Sequence, residues 1–482
     1  MSGLKREVGL TAAVCTAVGI VVSSSALVML GQGFGLGGPA FVVAIIVALF
    51  INLFVAFSFA ELASIMPLAG GINHYTLPTM GRFMGIFAVL AGYFAVSTLS
   101  NAAESSIAGL VVADIFLPGS GISPGVWALL LMVILTGINL LGVKSFARSQ
   151  IIFASTMIVS MIALSMIGIF DLGSGTPLKT SITFDMAAGG GVLSMLGIAF
   201  WLFVGMEFVC PMAEEVKNPQ KFIPVAMIAA LLIIFVSDLL FGFMALKYVK
   251  MDALGSSSYP HVDAAMAVLG RNGQVWIGVI SLVATASTLN TFIAAVPRML
   301  YGMSKEGQFP AIFGKLNRFG VPYVGIIAVF VITVILLGTG ISNVSAITTL
   351  ILAGCIGWML CYMIANLNVV ILRFRYPDLK RSFKSPFGIT LPVISFFGLA
   401  YMIYAIWPED GTGMRQDIYF YSNLFLMICA VWSGYWVKFK MNKPLFETIP
   451  ISVLLKETED SLLTDEEVVD SGESMEQAEA SA

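Results

Sequence analysis

Long apolar segments follow one another through almost the whole of this 482-residue chain. About twelve of them can be recognised, and each is close to the ~20 residues that a helix needs to cross a bilayer. Hydrophobic residues make up 58% of the chain and charged residues only 11%, whereas soluble domains have about 25% charged residues. The approximate segments are 9–30, 40–63, 83–116, 125–143, 150–170, 190–212, 223–248, 275–303, 322–339, 344–371, 387–407 and 418–438. We therefore predict an all-α polytopic membrane protein with twelve transmembrane helices, embedded in a lipid bilayer.

The basic residues predict the orientation of the spans. With the N-terminus in the cytoplasm and loops counted alternately, 20 of the 25 lysines and arginines fall on the inner side. Lys5 and Arg6 precede the first span without a cleavage site for a signal peptide, so that span is expected to remain. The sequence thus predicts a multi-pass protein of the cell membrane (plasma or inner membrane) with both termini cytoplasmic. The net charge of −3 gives no sign of a nucleic-acid partner, and none is expected.

Residues 200–221 contain an apolar run that is interrupted in its middle. Gly205 offers no side chain for packing, Pro211 removes a backbone donor, and Glu207 places a carboxylate inside the membrane. A helix built only to span a bilayer needs none of these residues. Unwound backbone beside a cavity can bind a solute, so we interpret this span as a broken helix.

Three consecutive serines, Ser23, Ser24 and Ser25, interrupt the first span. Serine hydroxyls compete for backbone partners and favour a local break in a helix. The alternative is a stripe of small residues for close helix packing. A second interrupted helix five spans later favours the break. Together they fit an inverted repeat with the solute site at its interface.

Several short motifs occur in one order along residues 8–440. The motifs are Phe203-Val204-Gly205-Met206-Glu207 with Ala213-Glu214-Glu215-Val216-Lys217-Asn218-Pro219, Glu61-Leu62 with Pro67-Leu68-Ala69-Gly70-Gly71, Asn139-Leu140-Leu141-Gly142, Arg298-Met299-Leu300-Tyr301-Gly302, and Arg373 with Pro377-Asp378-Leu379 and Arg381. In that order they resemble the amino acid/polyamine/organocation permease superfamily. The resemblance implies carriage of amino acids or amines by a permease domain over 9–440, after a cytoplasmic N-terminus of residues 1–8. It also implies a fold of two inverted five-helix repeats, over about 9–170 and 190–371, plus two additional helices over about 387–438.

The resemblance also implies a set of substrate-binding residues. The family's Gly-Ser-Gly-Ile motif falls on Ser23-Ser24-Ser25-Ala26, where only Ser24 matches, and serines in place of glycines narrow the space for backbone approach. Trp201 falls where relatives place an aromatic gate, for which packing is the alternative. The residues expected at the substrate site are Ser23, Ser24, Ser25, Tyr93, Asn101, Glu104, Trp201, Phe203, Gly205, Glu207 and Phe292.

Acidic residues lie within the predicted spans. Glu104 and Asp238 have no basic neighbour on their own segments. With Glu207 they predict an acidic interior that attracts an amine or binds a proton. The alternative is that each is protonated and hydrogen-bonded, and Glu207 could also serve as a structural acceptor for broken-helix amides.

Coupling remains open at this stage. Proton-coupled relatives carry a lysine in the fifth span, but Met157 stands at that position here, so lysine-based proton coupling is not expected. A coupling ion or counter-substrate is left open. A sodium ion would need oxygen ligands such as Ser281, Thr285 and Thr288.

No metal site, cofactor or catalytic residue is predicted. The five cysteines lie in apolar runs without metal-like spacing, and His74 and His261 are assigned to loops on opposite faces. No P-loop or nucleophile–base pair indicates an enzyme. From about residue 443 the chain changes character, and acidic residues crowd into 457–470, a stretch without aromatic residues, so we expect residues 443–482 to form an acidic, disordered cytoplasmic tail.

These features predict a secondary transporter of amino acids or related amines that works by alternating access. A polyamine or amine exchanger is the alternative. A channel is the rival class, since it would show neither saturation nor counterflow. The sequence does not specify which solute this protein carries, its oligomeric state or the direction of transport.

Overall fold

The computed structural model describes residues 4–178, 184–187, 191–338, 344–407 and 413–459, with 344–348 described by their main chain only. Within these residues, each of the twelve predicted apolar segments forms helix. Eight stretches are long and apolar enough to cross a membrane by themselves, and shorter apolar helices complete the bundle. Spans 1 to 12 are Leu10–Val21 with Ser24–Gly37, Phe41–Ile65, Arg82–Phe116, Pro124–Leu140, Val143–Ile169, Leu196–Trp201 with Met206–Glu215, Pro219–Tyr248, Arg271–Lys305, Tyr323–Gly338, Val344–Arg375, Thr390–Tyr404 and Met414–Lys440.

Both predicted helix breaks are confirmed. Span 1 stops at Val21, passes through extended residues at Val22 and Ser23, and starts again at Ser24. The Ser23 hydroxyl accepts a hydrogen bond from the Ala26 amide at 3.1 Å, because serine is a good cap for the new helix start.

Span 6 breaks for a different reason. Its first half ends at Trp201, and Gly205 then adopts φ +115°, which L side chains rarely tolerate. The second half is a 3₁₀ helix, Met206–Glu215, with Pro211 inside it. The tighter winding suits a segment whose proline cannot donate to an α-helical ladder.

The two broken spans lie in the centre of the bundle. The first half of span 1 packs against spans 5, 7 and 8 and against the second half of span 6. Span 8 also contacts spans 3 and 5, and span 10 contacts spans 2 and 3. Each broken span opens one of the two five-span repeats, and spans 11 and 12 pack outside them against span 10. The predicted fold class is thereby confirmed.

The outer spans expose apolar side chains. Val159 on span 5 and Val431 on span 12 are two-thirds exposed, as are many large hydrophobic residues on the bundle surface. A soluble protein would bury them, so this surface is suited to lipid.

Residues 443–459 differ from the disordered tail that composition predicted. The Phe83 amide donates to the carbonyl of Leu445 at 3.0 Å, and the Ile449 amide donates to that of Leu77 at 3.1 Å. Residues 451–459 form a helix in which Leu454 is fully buried. Although the segment is rich in acidic residues, it also has an apolar face formed by Ile449, Ile451 and Leu454. This face packs the segment against the region where spans 2 and 3 are connected. Residues 460–482 lie outside the described residues.

Candidate functional site

The two helix breaks lie side by side. A Cβ atom added to Gly205 would come within 3.0 Å of Cγ1 of Ile20, so the backbones of spans 6 and 1 approach closely there. Nearby, the indole N–H of Trp201 donates to the hydroxyl of Ser25 at 3.1 Å. Both breaks therefore border the same small region of the interior.

Hydroxyl groups of span 8 bind the broken part of span 1. The Ser24 hydroxyl donates to the carbonyl of Ser281 at 3.0 Å and lies 2.8 Å from Oγ1 of Thr285. The Thr288 hydroxyl donates to the carbonyl of Gly19 at 3.1 Å, near two further carbonyls freed by the break. The three residues considered as sodium ligands, Ser281, Thr285 and Thr288, thus all contact span 1. Ser281 does so through its carbonyl, and Thr285 and Thr288 do so through their hydroxyls.

Glu104 of span 3 reaches the start of the second half of span 1. Its Oε1 accepts from the Ser25 amide at 3.3 Å, and its Oε2 accepts from the Thr285 hydroxyl at 3.2 Å. The residue is only 1% exposed. In the described part of the chain, no lysine or arginine forms an ion pair with it.

Glu207 is held by span 10. It accepts from the indole N–H of Trp358 at 2.7 Å and from the Tyr362 hydroxyl. The same hydroxyl accepts from the Gly205 amide at 2.9 Å. This arrangement favours the structural interpretation of Glu207, because both carboxylate oxygens fix the span 6 break to span 10.

A narrow cavity lies between the breaks. It combines one carboxylate, serine hydroxyls and three aromatic rings. The ring of Trp358 is centred 6.3 Å from that of Trp201 and 6.1 Å from that of Phe292. The polar and aromatic residues that line it include Ser23, Ser100, Glu104, Trp201, Phe292 and Trp358. The cavity volume is about 10 Å³, which is room for one water molecule, so these groups can contact the cationic or hydrogen-bonding end of a solute only when the cavity widens.

Other residues expected at the site lie behind this lining. Tyr93 packs its ring 5.1 Å from that of Phe208, and Asn101 and Phe203 are fully buried. The Tyr93 hydroxyl and the Asn101 amide have no hydrogen-bond partner among the described residues. Asp238 is buried in span 7 and does not line the cavity either.

Sequence reasoning missed Trp358, Tyr362 and Ser100. Trp358 and Tyr362 are four residues apart and therefore share one face of span 10. Small residues Gly354 and Gly357 flank that face, and this pattern of small and aromatic residues was the available signal. Ser100 precedes Asn101 and could have been included with it.

A buried ion pair joins spans 6 and 8 beside the start of span 1. Arg298 of span 8 and Glu215 of span 6 bind each other, and both are 1% exposed. The carbonyl of Glu215 also accepts from the amides of Glu7 and Val8 at 2.9 Å. These contacts join the start of span 1, the end of span 6 and span 8. Arg298 and Glu215 belong to the family-like motifs, and here they bind each other and do not line the cavity.

Glu61 forms a second ion-pair group from those motifs. It accepts from Arg381 at 3.0 Å, from Arg373 at 3.0 Å and from the Ser385 amide at 2.8 Å. Span 2 is thereby tied to the end of span 10 and to the connection that follows it.

The two histidines lie in short helices rather than loops. His261, in Pro260–Leu269, is fully buried with Nε2 3.0 Å from the Ser281 hydroxyl, and burial lowers its pKa to about 3. His74 lies in Ile72–Thr76, where burial and then the charge of Lys305 lower its pKa to about 4.

His74 is also brought close to two carboxylates, a grouping that the sequence did not predict. Ligand atoms of His74, Glu306 and Glu457 lie within 4.8 Å of one another. The positive charges of Arg82 and Lys305 act on Glu306, Lys305 also interacts with Glu457, and Arg82 forms an ion pair with Glu447. Because these cations balance the carboxylates, we interpret the group as a charge network rather than a metal site.

A helical bundle with two adjacent broken helices around an interior cavity defines a class, that of secondary transporters with inverted repeats. The fold agrees with the structure of Mhp1, a nucleobase-cation-symport-1 family transporter in a closed conformation with bromovinylhydantoin bound. The TM-score is 0.56 at 14% identity, over 95% of this chain and 97% of that one. This similarity establishes the fold alone.

The chain belongs to the amino acid permease family, whose model matches residues 12–447. It is 27% identical to a methylthioribose transporter of Bacillus subtilis (strain 168), over 82% of this chain and 89% of that one. A branched-chain amino acid permease of the same organism is 26% identical, over 84% of this chain and 88% of the permease. A glutamate/serine transporter, also from that organism, is 26% identical over 91% of this chain and 85% of the transporter. The resemblance to the amino acid/polyamine/organocation superfamily is confirmed, and the protein is a multi-pass membrane transporter rather than an enzyme.

Proposed function

We propose that this protein is a secondary transporter of amino acids or related amines that works by alternating access across the cell membrane, with both termini cytoplasmic. The observation that carries the proposal is the contact between the two helix breaks around one interior cavity. The Trp201–Ser25 hydrogen bond and the close approach of Gly205 to Ile20 define that contact. Membership of the amino acid permease family supports the solute class.

Alternating access requires two closures that do not open together. The Arg298–Glu215 pair joins the elements at the N-terminal end of the bundle. The Trp201–Ser25 hydrogen bond joins the first half of span 6 to the second half of span 1, on the opposite side of the breaks. In the described conformation both closures are made, which fits an occluded step of a transport cycle.

Exchange of amines is the second candidate function. The cavity-lining carboxylate Glu104 favours it, since a cationic solute suits that position. The relatives are named for different solutes, namely methylthioribose, branched-chain amino acids, and glutamate and serine. Family membership therefore leaves the individual solute open, and we extend to this chain only the general class.

The experiment starts with a thermal-shift screen of the purified protein against amino acids and amines, because a bound solute raises the unfolding temperature by mass action. Hits are then tested as labelled solutes in proteoliposomes. Saturable uptake, accelerated by unlabelled solute inside the vesicles, is expected of a carrier. Flux that neither saturates nor shows counterflow would make the protein a channel and reject the proposal.

Coupling is tested in the same vesicles. Imposed sodium and proton gradients are compared with internal unlabelled solute as the driving force. Span 5 carries the fully buried Met157 where proton-coupled relatives have lysine, so we expect no proton coupling that depends on that position.

A further inference from the structure

We propose that the solute of this transporter is a compact amine without an α-carboxylate, and that Glu104 occupies the place on span 1 where a solute carboxylate would bind. The inference rests on the proposed transport function.

Three amide donors at this helix start, those of Ser25, Ala26 and Leu27, already have partners within the chain. The Ser25 amide donates to Oε1 of Glu104 at 3.3 Å, and the Ala26 amide donates to the Ser23 hydroxyl at 3.1 Å. The next amide, that of Leu27, donates to the Ser23 carbonyl at 3.1 Å. A helix start favours an anion because its amides and dipole point at it, and here that anion is a side chain of the protein.

A second carboxylate from a solute would be repelled at this position. It would have to displace Glu104 or lie beside it in a space from which water is largely excluded, where like charges repel strongly. Serines 23 and 25 further restrict the approach to the backbone, since their hydroxyls lie 2.9 Å apart at the break. Both effects select against an α-amino acid head group.

Glu104 has hydrogen-bond donors but lacks a positive partner. It is 1% exposed, and among the residues described no basic side chain pairs with it. A buried carboxylate of this kind is stabilised by a neighbouring cation. An ammonium group on the solute would supply that charge. Glu207 is not equivalent, because Trp358 and Tyr362 already occupy its two oxygens.

The remaining lining also suits an ammonium group. The rings of Trp201, Phe292 and Trp358 border the cavity, and aromatic faces attract cations. Ser100 lines the same space, is 2% exposed, and its hydroxyl has no hydrogen-bond partner among the described residues. That hydroxyl can accept from an N–H of the solute. A carboxylate, an unpartnered hydroxyl and aromatic rings around one narrow space are the groups that recognise a small protonated amine.

The test compares amino acids with the amines formed by removing their carboxylate. Binding by thermal shift and uptake in proteoliposomes are measured for L-leucine with isopentylamine and for L-arginine with agmatine. Isopentanol serves as the uncharged analogue. We expect the full-length wild-type protein to bind at least one amine at least tenfold more tightly than its parent amino acid, and not to bind the alcohol.

Variants locate the cause. Glu104→Gln is expected to weaken amine binding at least tenfold and to reduce or reverse the preference over the amino acid. Ser100→Ala, a milder change that keeps Glu104, should weaken amine binding severalfold. Asp238→Asn removes a buried acid that does not line the cavity, so the amine-to-amino-acid ratio should stay unchanged.

The outcomes separate this inference from the proposed function. Saturable uptake of amino acids, with weaker binding of the matched amines, would overturn the inference and leave the transporter proposal standing. Equal binding of amine and alcohol, or an unchanged preference in Glu104→Gln, would also overturn it. Failure of the folded protein to bind or carry either series would count against the proposed function itself.

Discussion

The indole N–H of Trp358 donates to Oε1 of Glu207 at 2.7 Å, across 151 residues of chain. The carboxylate stands two residues after the break in span 6, and the tryptophan lies in span 10. Tyr362, one helical turn further, binds the other carboxylate oxygen and receives the Gly205 amide. The break in span 6 is therefore stabilised by side chains of another helix, span 10, which also lines the cavity through Trp358.

Tyr362→Phe is predicted to destabilise the protein. It removes a hydroxyl that serves both the Gly205 amide and Glu207, and each buried group left without a partner costs about 1–3 kcal/mol. The unfolding temperature in detergent should fall clearly. Tyr435→Phe, at a residue 44% exposed, is the matched control and should change little. Equal melting of the two variants would contradict the role assigned to Tyr362.

Gly205→Ala should impair both stability and transport. The new side chain would be strained at φ +115° and would meet Cγ1 of Ile20 at 3.0 Å, where spans 1 and 6 approach. We expect a loss of about 1–3 kcal/mol and little uptake in proteoliposomes. Gly137→Ala, in span 4, has open space around it and should retain both properties. Normal uptake by Gly205→Ala would show that the break tolerates a side chain.

Arg298→Met is predicted to cost about 3–5 kcal/mol, because it leaves Glu215 buried without its partner. The double variant Arg298→Met with Glu215→Met should be less destabilised than the sum of the single variants. A double-mutant cycle of unfolding free energies measures this coupling. Simple additivity of the two changes would mean that the pair contributes no coupling to closure.

Stability should decrease as the pH falls below about 6.5, the ordinary pKa of histidine, partly through His261. Its pKa in the folded protein is about 3, so between these values the unfolded chain binds the proton and the folded protein does not. His261→Asn should weaken the loss of stability between pH 7 and pH 5. Some pH dependence should remain, because the pKa of His74 is also lowered, to about 4. Thermal melts over this range, compared between variant and wild type, provide the measurement.

Leu454→Ala should release the C-terminal segment. Leu454 is fully buried, whereas its neighbour Val453 is 53% exposed, so Val453→Ala is a matched control. The segment can detach without unfolding the bundle, so we expect faster proteolytic cleavage within 443–459 rather than a large change in global stability. Equal cleavage of both variants would show that the segment is not held by this contact.

The C-terminal segment shows where composition misled the sequence analysis. Glu457 and Glu459 indicated a solvated tail, whereas the apolar residues Ile449, Ile451 and Leu454 in the same segment are buried. Their burial depends on a surface formed near Leu77 and Phe83, far away in the chain. No local pattern near residue 450 could reveal that surface.

The sequence by itself determined the twelve spans, their interruption at Ser23 and Gly205, and the family. A bilayer supplies no water to backbone groups, so apolar runs of that length must be helical, and residues that disrupt helices mark their own positions. Only the tertiary structure decided that Glu104 lines the cavity while Glu207 is held by Trp358 and Tyr362. In sequence both acids are carboxylates within apolar runs, and both are expected at the solute site. The environment of each depends on which distant span packs against it, and that packing is a property of the assembled bundle.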